Sequence, residues 1–191
     1  MRKPGLVRPL LRIAGAAALG VAVRGRLAEY DERARKVVSS VRTSSLDRAV
    51  PALTDLGSTY ALGAAAGVLW LFGKRRLARD VGGAGLLAWV AAQGMKPLYR
   101  RARPYDVDDV EIMVRKPAGM SYPSGHPAVA AAMATVLDPV VREPARGAIR
   151  KMPRFVAFSR VYAGVHYPTD VIGGVWLGKA IGELWLRFAR G

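Results

Sequence analysis

Six stretches of this chain are almost continuously apolar, at residues 13–23, 56–72, 81–95, 127–141, 155–165 and 171–188, with short basic segments such as Gly73-Lys74-Arg75-Arg76 between them. That blocked pattern limits the fold more than any other feature. A helix crossing a bilayer needs about 20 mostly apolar residues. The second block with its flanks meets this length, and the third does so if Leu77 and Leu98 extend it. The fourth is short and carries Asp138-Pro139 near its end. The fifth contains Ser159 and Arg160, so its helix is expected to begin near Arg146 and to end at Arg160. Taken singly, several blocks would also serve as core helices of a soluble α protein.

Two features favour a membrane. Small residues recur four apart in Gly63-x3-Gly67, Gly174-x3-Gly178 and Gly178-x3-Gly182. Such spacing lets helix backbones approach closely in lipid. In a water-soluble helix each glycine would cost about 1 kcal/mol relative to alanine with no such return. Trp70, Trp89, Trp176 and Trp185 all lie within apolar blocks, as interfacial anchors or packing residues do. The expected fold is all-α, a polytopic membrane helical bundle of about six spans with an N-terminal amphipathic helix. Residues 1–50 would form an N-terminal appendage, and residues 51–191 the core bundle.

Within the appendage, Arg2, Lys3, Arg8 and Arg12 lead into about a dozen apolar residues, the length of a signal-peptide core. No small-x-small cleavage site follows, so this block reads as an uncleaved first span or an interfacial helix. Leu27, Tyr30, Ala34, Val37, Val38, Val41 and Leu46 then approximate a helical stripe. The stripe suits an amphipathic helix on the membrane surface, or a solvated linker helix.

Charge and composition remove several classes. The 191 residues carry 30 Lys plus Arg against 14 Asp plus Glu, a net +16, and no cysteine. Disulfide frameworks and Cys-ligated zinc or iron–sulfur sites are excluded. A nucleic-acid binder would explain the charge but would leave the apolar blocks without purpose. Imidazole chemistry must use His126, His166 or both, the only histidines present.

The polar clusters fall in register. Lys96 to Pro104 follows the third block, Pro123-Ser124-Gly125-His126 precedes the fourth, and Ser159-Arg160, His166 and Asp170 join the fifth to the sixth. Successive spans alternate direction, so these span ends all face one side. The converging set reads as an anion site. Lys96, Arg103 and Arg160 supply fixed positive charge, and arginine forks match phosphate oxygens. Ser124 and Gly125 stand at an expected helix N-terminus, where free N–H groups favour a phosphate. His166 with Asp170 is a nucleophile or base with an orienting carboxylate, and His126 is available as a general acid. Arg100 and Arg101 read as snorkelling anchors at a span end. Three cations would repel a divalent ion, so no metal and no other cofactor is expected.

Lys96-x6-Arg103-Pro104, Pro123-Ser124-Gly125-His126 and Ser159-Arg160-x5-His166-x3-Asp170 together resemble the three-part signature of the type 2 phosphatidic acid phosphatase and vanadium haloperoxidase superfamily, over 75 positions and without departure. The resemblance implies that Lys96, Arg103, Ser124, Gly125 and Arg160 bind phosphate. It implies that His166 attacks phosphorus to give a phosphohistidine, that Asp170 supports it, and that His126 protonates the leaving oxygen. It also implies a metal-independent membrane lipid phosphatase acting on a phosphatidic acid, phosphatidylglycerol phosphate or polyprenyl phosphate type of substrate. A phosphatase for a water-soluble ester and a non-catalytic lipid-phosphate binder or transporter are the alternatives; binding alone needs no nucleophile.

Membrane lipids are the expected surroundings, the oligomeric state is left open, and the setting is a bacterial-type cell membrane. Lys74, Arg75, Arg76 and Arg79, then Arg142, Arg146, Arg150, Lys151 and Arg154, with Arg187 and Arg190, lie opposite the site. The positive-inside rule makes that side cytoplasmic and the active site extracytoplasmic. Seven basic residues from Arg24 to Arg48 oppose this, offset by four acids. Asp106, Asp108, Asp109 and Glu111, in the loop before the second motif, suit headgroup selection or a solvated mouth loop. Lys179 and Glu183, four apart, are expected to pair across one helical turn.

Overall fold

In a computed structural model the apolar blocks become helices around a core of small side chains. The structure describes residues 5–23, 25 and 27–189; Arg2, Lys3, Arg24, Arg26 and Arg190, which enter the charge reading above, lie outside the described residues. The helices are α1 (Val7–Ala22), α2 (Leu27–Ser40), α3 (Ser44–Asp55), α4 (Thr59–Leu71), α5 (Arg75–Tyr99), α6 (Pro104–Val107), α7 (Gly125–Leu137), α8 (Ala145–Tyr162) and α9 (Pro168–Phe188). The fold is all-α.

Local chemistry sets the boundaries. The second block is interrupted because Ser58 caps α4, its hydroxyl accepting from Ala61 N–H at 3.0 Å. The stripe expected across residues 27–50 divides into α2 and α3, because Thr43 caps a new helix through Leu46 N–H at 3.3 Å. The division expected at residue 50 falls inside α3, where Val50 is buried against Tyr162, Ala163 and Val165. Helix α8 begins one residue from the expected start and runs two residues past Arg160.

The interior belongs to α5, α7 and α9. Ala84, Ala88 and Ala92 of α5 pack with Ala128, Val129, Ala132 and Val136 of α7 and with Leu177 and Ile181 of α9. The stripe Gly174, Gly178 and Gly182 lies against α7. A methyl group at Gly178 would overlap the Ala128 carbonyl, and one at Gly182 would sit 2.7 Å from Thr135 Cβ. Gly63 and Gly67 of α4 behave differently: nothing lies within 4 Å of a Cβ built there. The same spacing therefore makes a helix contact in α9 and an open face in α4.

Among the described residues no helix is long and apolar enough to cross a membrane, contrary to the expectation for the second and third blocks. Helices α4 and α7 have 13 residues each, about 20 Å at 1.5 Å per residue, against a hydrocarbon core of about 30 Å. Helix α5 has the length but carries Arg75, Arg76, Arg79, Asp80 and Lys96, and α9 carries Lys179, Glu183 and Arg187. The expected Lys179–Glu183 pair is replaced by an ion pair between Glu183 and Arg12 of α1. Packing explains the change, since α1 runs along α9 with Gly15 seated on Trp176.

Candidate active site

Lys96 stands in the last turn of α5, Arg103 just before α6, Ser124, Gly125 and His126 at the start of α7, Arg160 near the end of α8, His166 in the α8–α9 turn, and Asp170 in the first turn of α9. Several local devices bring them to one end of the bundle. Helix α5 stops at Arg100, a left-handed residue with φ 45° whose N–H returns to the Lys96 carbonyl at 3.0 Å. The chain then turns inward, and Ser121 N–H donates to the Arg101 carbonyl at 2.8 Å. Gly164, with φ +75°, makes the turn after α8 in a conformation disfavoured for residues with a Cβ. A Cβ there would also lie 2.7 Å from the Glu111 carbonyl oxygen. Pro168 opens α9 at its first position, where a missing N–H costs nothing, and Asp170 Oδ2 accepts from Tyr167 N–H at 2.9 Å.

The tautomer of His166 follows from its neighbours. Arg103 Nη1 lies 3.1 Å from His166 Nε2. A guanidinium can only donate, so Nε2 accepts and holds a lone pair. The proton is on Nδ1, which donates toward Asp170 Oδ2 at 3.3 Å, with Ser121 Oγ 3.4 Å from the same nitrogen. Ser121 in turn donates to Asp170 Oδ2. His166 is 2% exposed. Burial, reinforced by the positive charges of Arg103, Arg160 and Lys96 and by His126, holds its pKa well below the ordinary imidazole value. The ring is therefore neutral, with its Nε2 lone pair turned toward the Arg103 guanidinium.

Lys96, Arg103 and Arg160 are all buried, at 8%, 2% and 3% exposure. Arg160 Nη1 donates to Thr54 Oγ1 at 2.9 Å, while its Nε is buried with no hydrogen-bond partner among the described residues. The Ser124 hydroxyl is likewise buried and unpartnered, although Ser124 is the N-cap of α7. Its backbone N–H is already used, donating to the Asp170 carbonyl at 3.0 Å. The free N–H expected at this residue is thus replaced by a free hydroxyl. A Cβ at Gly125 would make only ordinary contacts, 3.6 Å to the Trp89 ring and 3.7 Å to Gln93 Nε2, so internal packing does not demand glycine there.

Arg103 is more heavily committed than its expected role suggests. Besides His166 it donates to the carbonyls of Gly119 at 2.7 Å, Val165 at 3.0 Å and Ala118 at 3.3 Å. Four of about five N–H donors are engaged. Arg103 therefore ties the loop before the second motif to the histidine turn.

Arg101 is not a snorkelling anchor. Its side chain is buried, Nη1 donates to Asp170 Oδ1 at 2.7 Å, and its guanidinium carbon lies 4.1 Å from the centroid of the Tyr167 ring. The inward turn at Arg100 is the reason, because it directs residue 101 under the bundle rather than toward its rim. No spacing rule marks Arg101, Ser121 or Thr54 as members of the site. The acidic loop also finds ordinary work. Asp106 Oδ2 accepts from Arg103 N–H at 3.2 Å, and Glu111 pairs with Arg42 at 2.7 Å.

His126 and Arg160 line one cavity of about 450 Å³ together with Thr54, Trp89, Lys116 and Ala118. Tyr60, at the start of α4, stands exposed at its edge. Among the described residues no three His, Cys, Asp or Glu side chains cluster as a metal cage.

Known proteins share this organisation. Decaprenylphosphoryl-5-phosphoribose phosphatase of Mycolicibacterium smegmatis is 40% identical over 111 residues, 58% of this chain and 59% of that protein. Undecaprenyl-diphosphatase BcrC of Bacillus subtilis is 29% identical over 125 residues, 63% of this chain and 64% of that protein. The chain thus matches less than two thirds of either relative's length. The transmembrane PAP2 type phosphatidylglycerolphosphate phosphatase of Bacillus subtilis superposes with a TM-score of 0.75 at 24% identity, over 96% of both chains, and so shares the fold. The family model described as the PAP2 superfamily matches residues 77–190, from the start of α5 through all three motifs. The chain belongs to the PAP2 superfamily.

Proposed function

We propose that the chain is an integral membrane lipid phosphatase, hydrolysing a phosphate monoester or diphosphate of a lipid through a phosphohistidine. One observation carries the reading. A neutral imidazole whose Nε2 lone pair faces the Arg103 guanidinium is held beside three buried cations, and two donors of the site, Arg160 Nε and Ser124 Oγ, have no partner among the described residues. A tetrahedral oxyanion would satisfy both.

In this mechanism His166 Nε2 attacks phosphorus along the direction now occupied by the Arg103 Nη1 N–H. That donor passes to an equatorial oxygen. Lys96, Arg160, the Ser124 hydroxyl and the close approach permitted at Gly125 hold the others. Asp170 keeps Nδ1–H in place and stabilises the positive ring. His126, on the cavity wall, takes up a proton as the substrate's negative charge offsets the neighbouring cations, passes it to the leaving oxygen, and then, as the neutral base, takes one from the water that releases phosphate. No metal takes part. Displacement by a histidine divides one slow hydrolysis into two transfers.

The lipid setting is supported by the reversal of the usual size pattern. Alanines and close-packed glycines make up much of the α5–α7–α9 interface, while the larger Leu71, Phe72, Leu86, Leu87, Val90 and Ile172 face outward. Large apolar side chains exposed in that number suit acyl chains. Helices α1, α4, α5, α7, α8 and α9 are the proposed lipid-embedded bundle, with α2 and α3 on the surface that bears the site. The relatives named for polyprenyl phosphates and diphosphates favour that substrate class. The opposite end carries Lys74, Arg75, Arg76 and Arg79, and by the positive-inside rule this supports a cytoplasmic reading of that end and an outer-face site. Arg35 and Arg42, on the outer side in this assignment, are partly neutralised by Glu32 and Glu111.

The test is phosphate release by the purified protein over a panel of lipid phosphates, lipid diphosphates and sugar phosphates, with EDTA present. Turnover of the lipid members, abolished in His166→Ala without loss of folding, is expected. Turnover retained by His166→Ala would refute the nucleophile, and exclusive use of sugar phosphates would refute the lipid assignment.

A further inference from the structure

The N-terminal helix α2 lies outside the matched family region, yet one of its carboxylates is buried beside the catalytic turn. Asp31 is 2% exposed. Its Oδ1 accepts from Thr169 N–H at 2.9 Å, and its Oδ2 accepts from Arg101 Nη2 at 2.6 Å and from the Thr169 hydroxyl. Arg101 reaches the other way, with Nη1 2.7 Å from Thr169 Oγ1 and 2.7 Å from Asp170 Oδ1. A single guanidinium therefore bridges two buried carboxylates, one on α2 and one on α9.

From this arrangement we infer that Asp31 is a positioning residue for catalysis, acting through Arg101 and Thr169 to hold Asp170 and thereby the His166 ring. The inference rests on the phosphatase reading above. Three physical arguments converge. Thr169 is the second residue of α9, and its N–H is one of the donors that a helix start leaves without an intrahelical acceptor. Asp31 supplies the acceptor from another helix, so it pins the turn that presents Asp170. Second, Arg101 needs both carboxylates. With Asp31 present its charge is shared; without it, Asp170 alone would neutralise the guanidinium and would be a weaker acceptor for His166 Nδ1–H at the moment the ring becomes positive. Third, burying a carboxylate is costly unless it is paired and hydrogen-bonded. A helix lying on a membrane would keep Asp31 in water, whereas here it turns inward while Glu29 and Arg33 of the same helix remain exposed.

The phosphate-binding side chains Lys96, Arg103 and Arg160 make no contact with Asp31 among the bonds that define its site, so binding and chemistry should separate. In Asp31→Asn the shape is kept and the charge removed. The expected result is a roughly 10- to 100-fold fall in kcat, the range typical when the partner that orients a histidine is lost. KM and orthovanadate inhibition should stay within about twofold. Asp31→Glu, which restores the carboxylate, should recover part of the loss, and Arg33→Ala on the exposed face should match the parent. Rates are counted per active site, from the amount of phosphoenzyme trapped in alkaline detergent, where a phosphohistidine survives, in a single turnover, so that misfolded molecules do not enter. An Asp31→Asn variant with parental kcat per active site would overturn the inference and leave the phosphatase reading standing. So would a variant whose only defect is a lower active fraction, since that describes a helix holding the fold and nothing more.

Discussion

Arg160→Met separates the binding role of the cationic cup from its structural cost, because the two effects have opposite signs. Arg160 is 3% exposed and shares the site with Arg103 and Lys96, while Asp55, which lines the same cavity, forms no ion pair with it among the described residues. Its Nη1 bond to Thr54 is the only hydrogen bond the side chain makes among the described residues, and its Nε makes none. Keeping such a charge out of water costs several kcal/mol. Against this gain, loss of the charge-assisted Thr54 bond costs about 1.5–3 kcal/mol. A net gain of at least about 1 kcal/mol should therefore follow from substitution, raising the unfolding midpoint by about 2–4 °C for a chain of this length. Toward an anion the sign reverses. One charge-assisted hydrogen bond is worth about 1.5–3 kcal/mol, or roughly 10- to 150-fold in affinity. The assay is thermal unfolding in detergent micelles over an orthovanadate series. The parent should gain stability with vanadate as RT ln(1 + [L]/Kd), and Arg160→Met should start higher and respond only at concentrations 10- to 150-fold greater. A variant that melts below the parent yet keeps its vanadate response would refute the reasoning, since Arg160 would then hold the fold and not the anion.

Two further predictions concern packing and protonation. Gly178→Ala should lower the unfolding free energy by about 1–3 kcal/mol, the usual cost of overpacking, whereas Gly63→Ala, in open space, should leave the midpoint unchanged or raise it; equal effects in a thermal unfolding comparison would contradict the assigned α7–α9 contact. Because His166 has its folded-state pKa depressed below the unfolded value of about 6.5, the unfolded chain takes up that proton first as pH falls. Its stability contribution is therefore complete above pH 6.5 and declines below it, and midpoints measured from pH 7.5 to 5.5 should fall more steeply in the parent than in His166→Gln.

Much of the site was legible because it depends on order along the chain. Apolar blocks that alternate direction bring the end of α5, the start of α7, the end of α8 and the start of α9 to one side whatever their tilt. Residues placed by a turn were harder to read. Arg100 and Arg101 are adjacent arginines at a helix end, and only the left-handed conformation of Arg100 sends one outward and the other beneath Asp170. The pairing of Glu183 was missed for a related reason. A local partner, Lys179, lies four residues away, but α1 brings Arg12 from 171 residues away to the same carboxylate. Spacing describes what one helix can offer, and its neighbour decides what is used, as the packed glycines of α9 and the open ones of α4 show.

The same distinction explains why the N-terminal region carries no motif and still reaches the active site. A motif is a set of groups that touch the reacting atoms, and such groups tolerate little change in identity or spacing. Asp31 acts one bond further out, and any acceptor delivered to Thr169 N–H and Arg101 from any element would do the same work. Helix α2 can deliver it because α1 returns the chain to the site-bearing end, where Val23 packs with Tyr99 and Tyr122. From there α2 crosses the mouth of α9 before α3 docks on α8 through Val50 and Tyr162. The path of the chain across the end of the bundle thus supplies a buried carboxylate at the place where a helix start and a bridging arginine both require one.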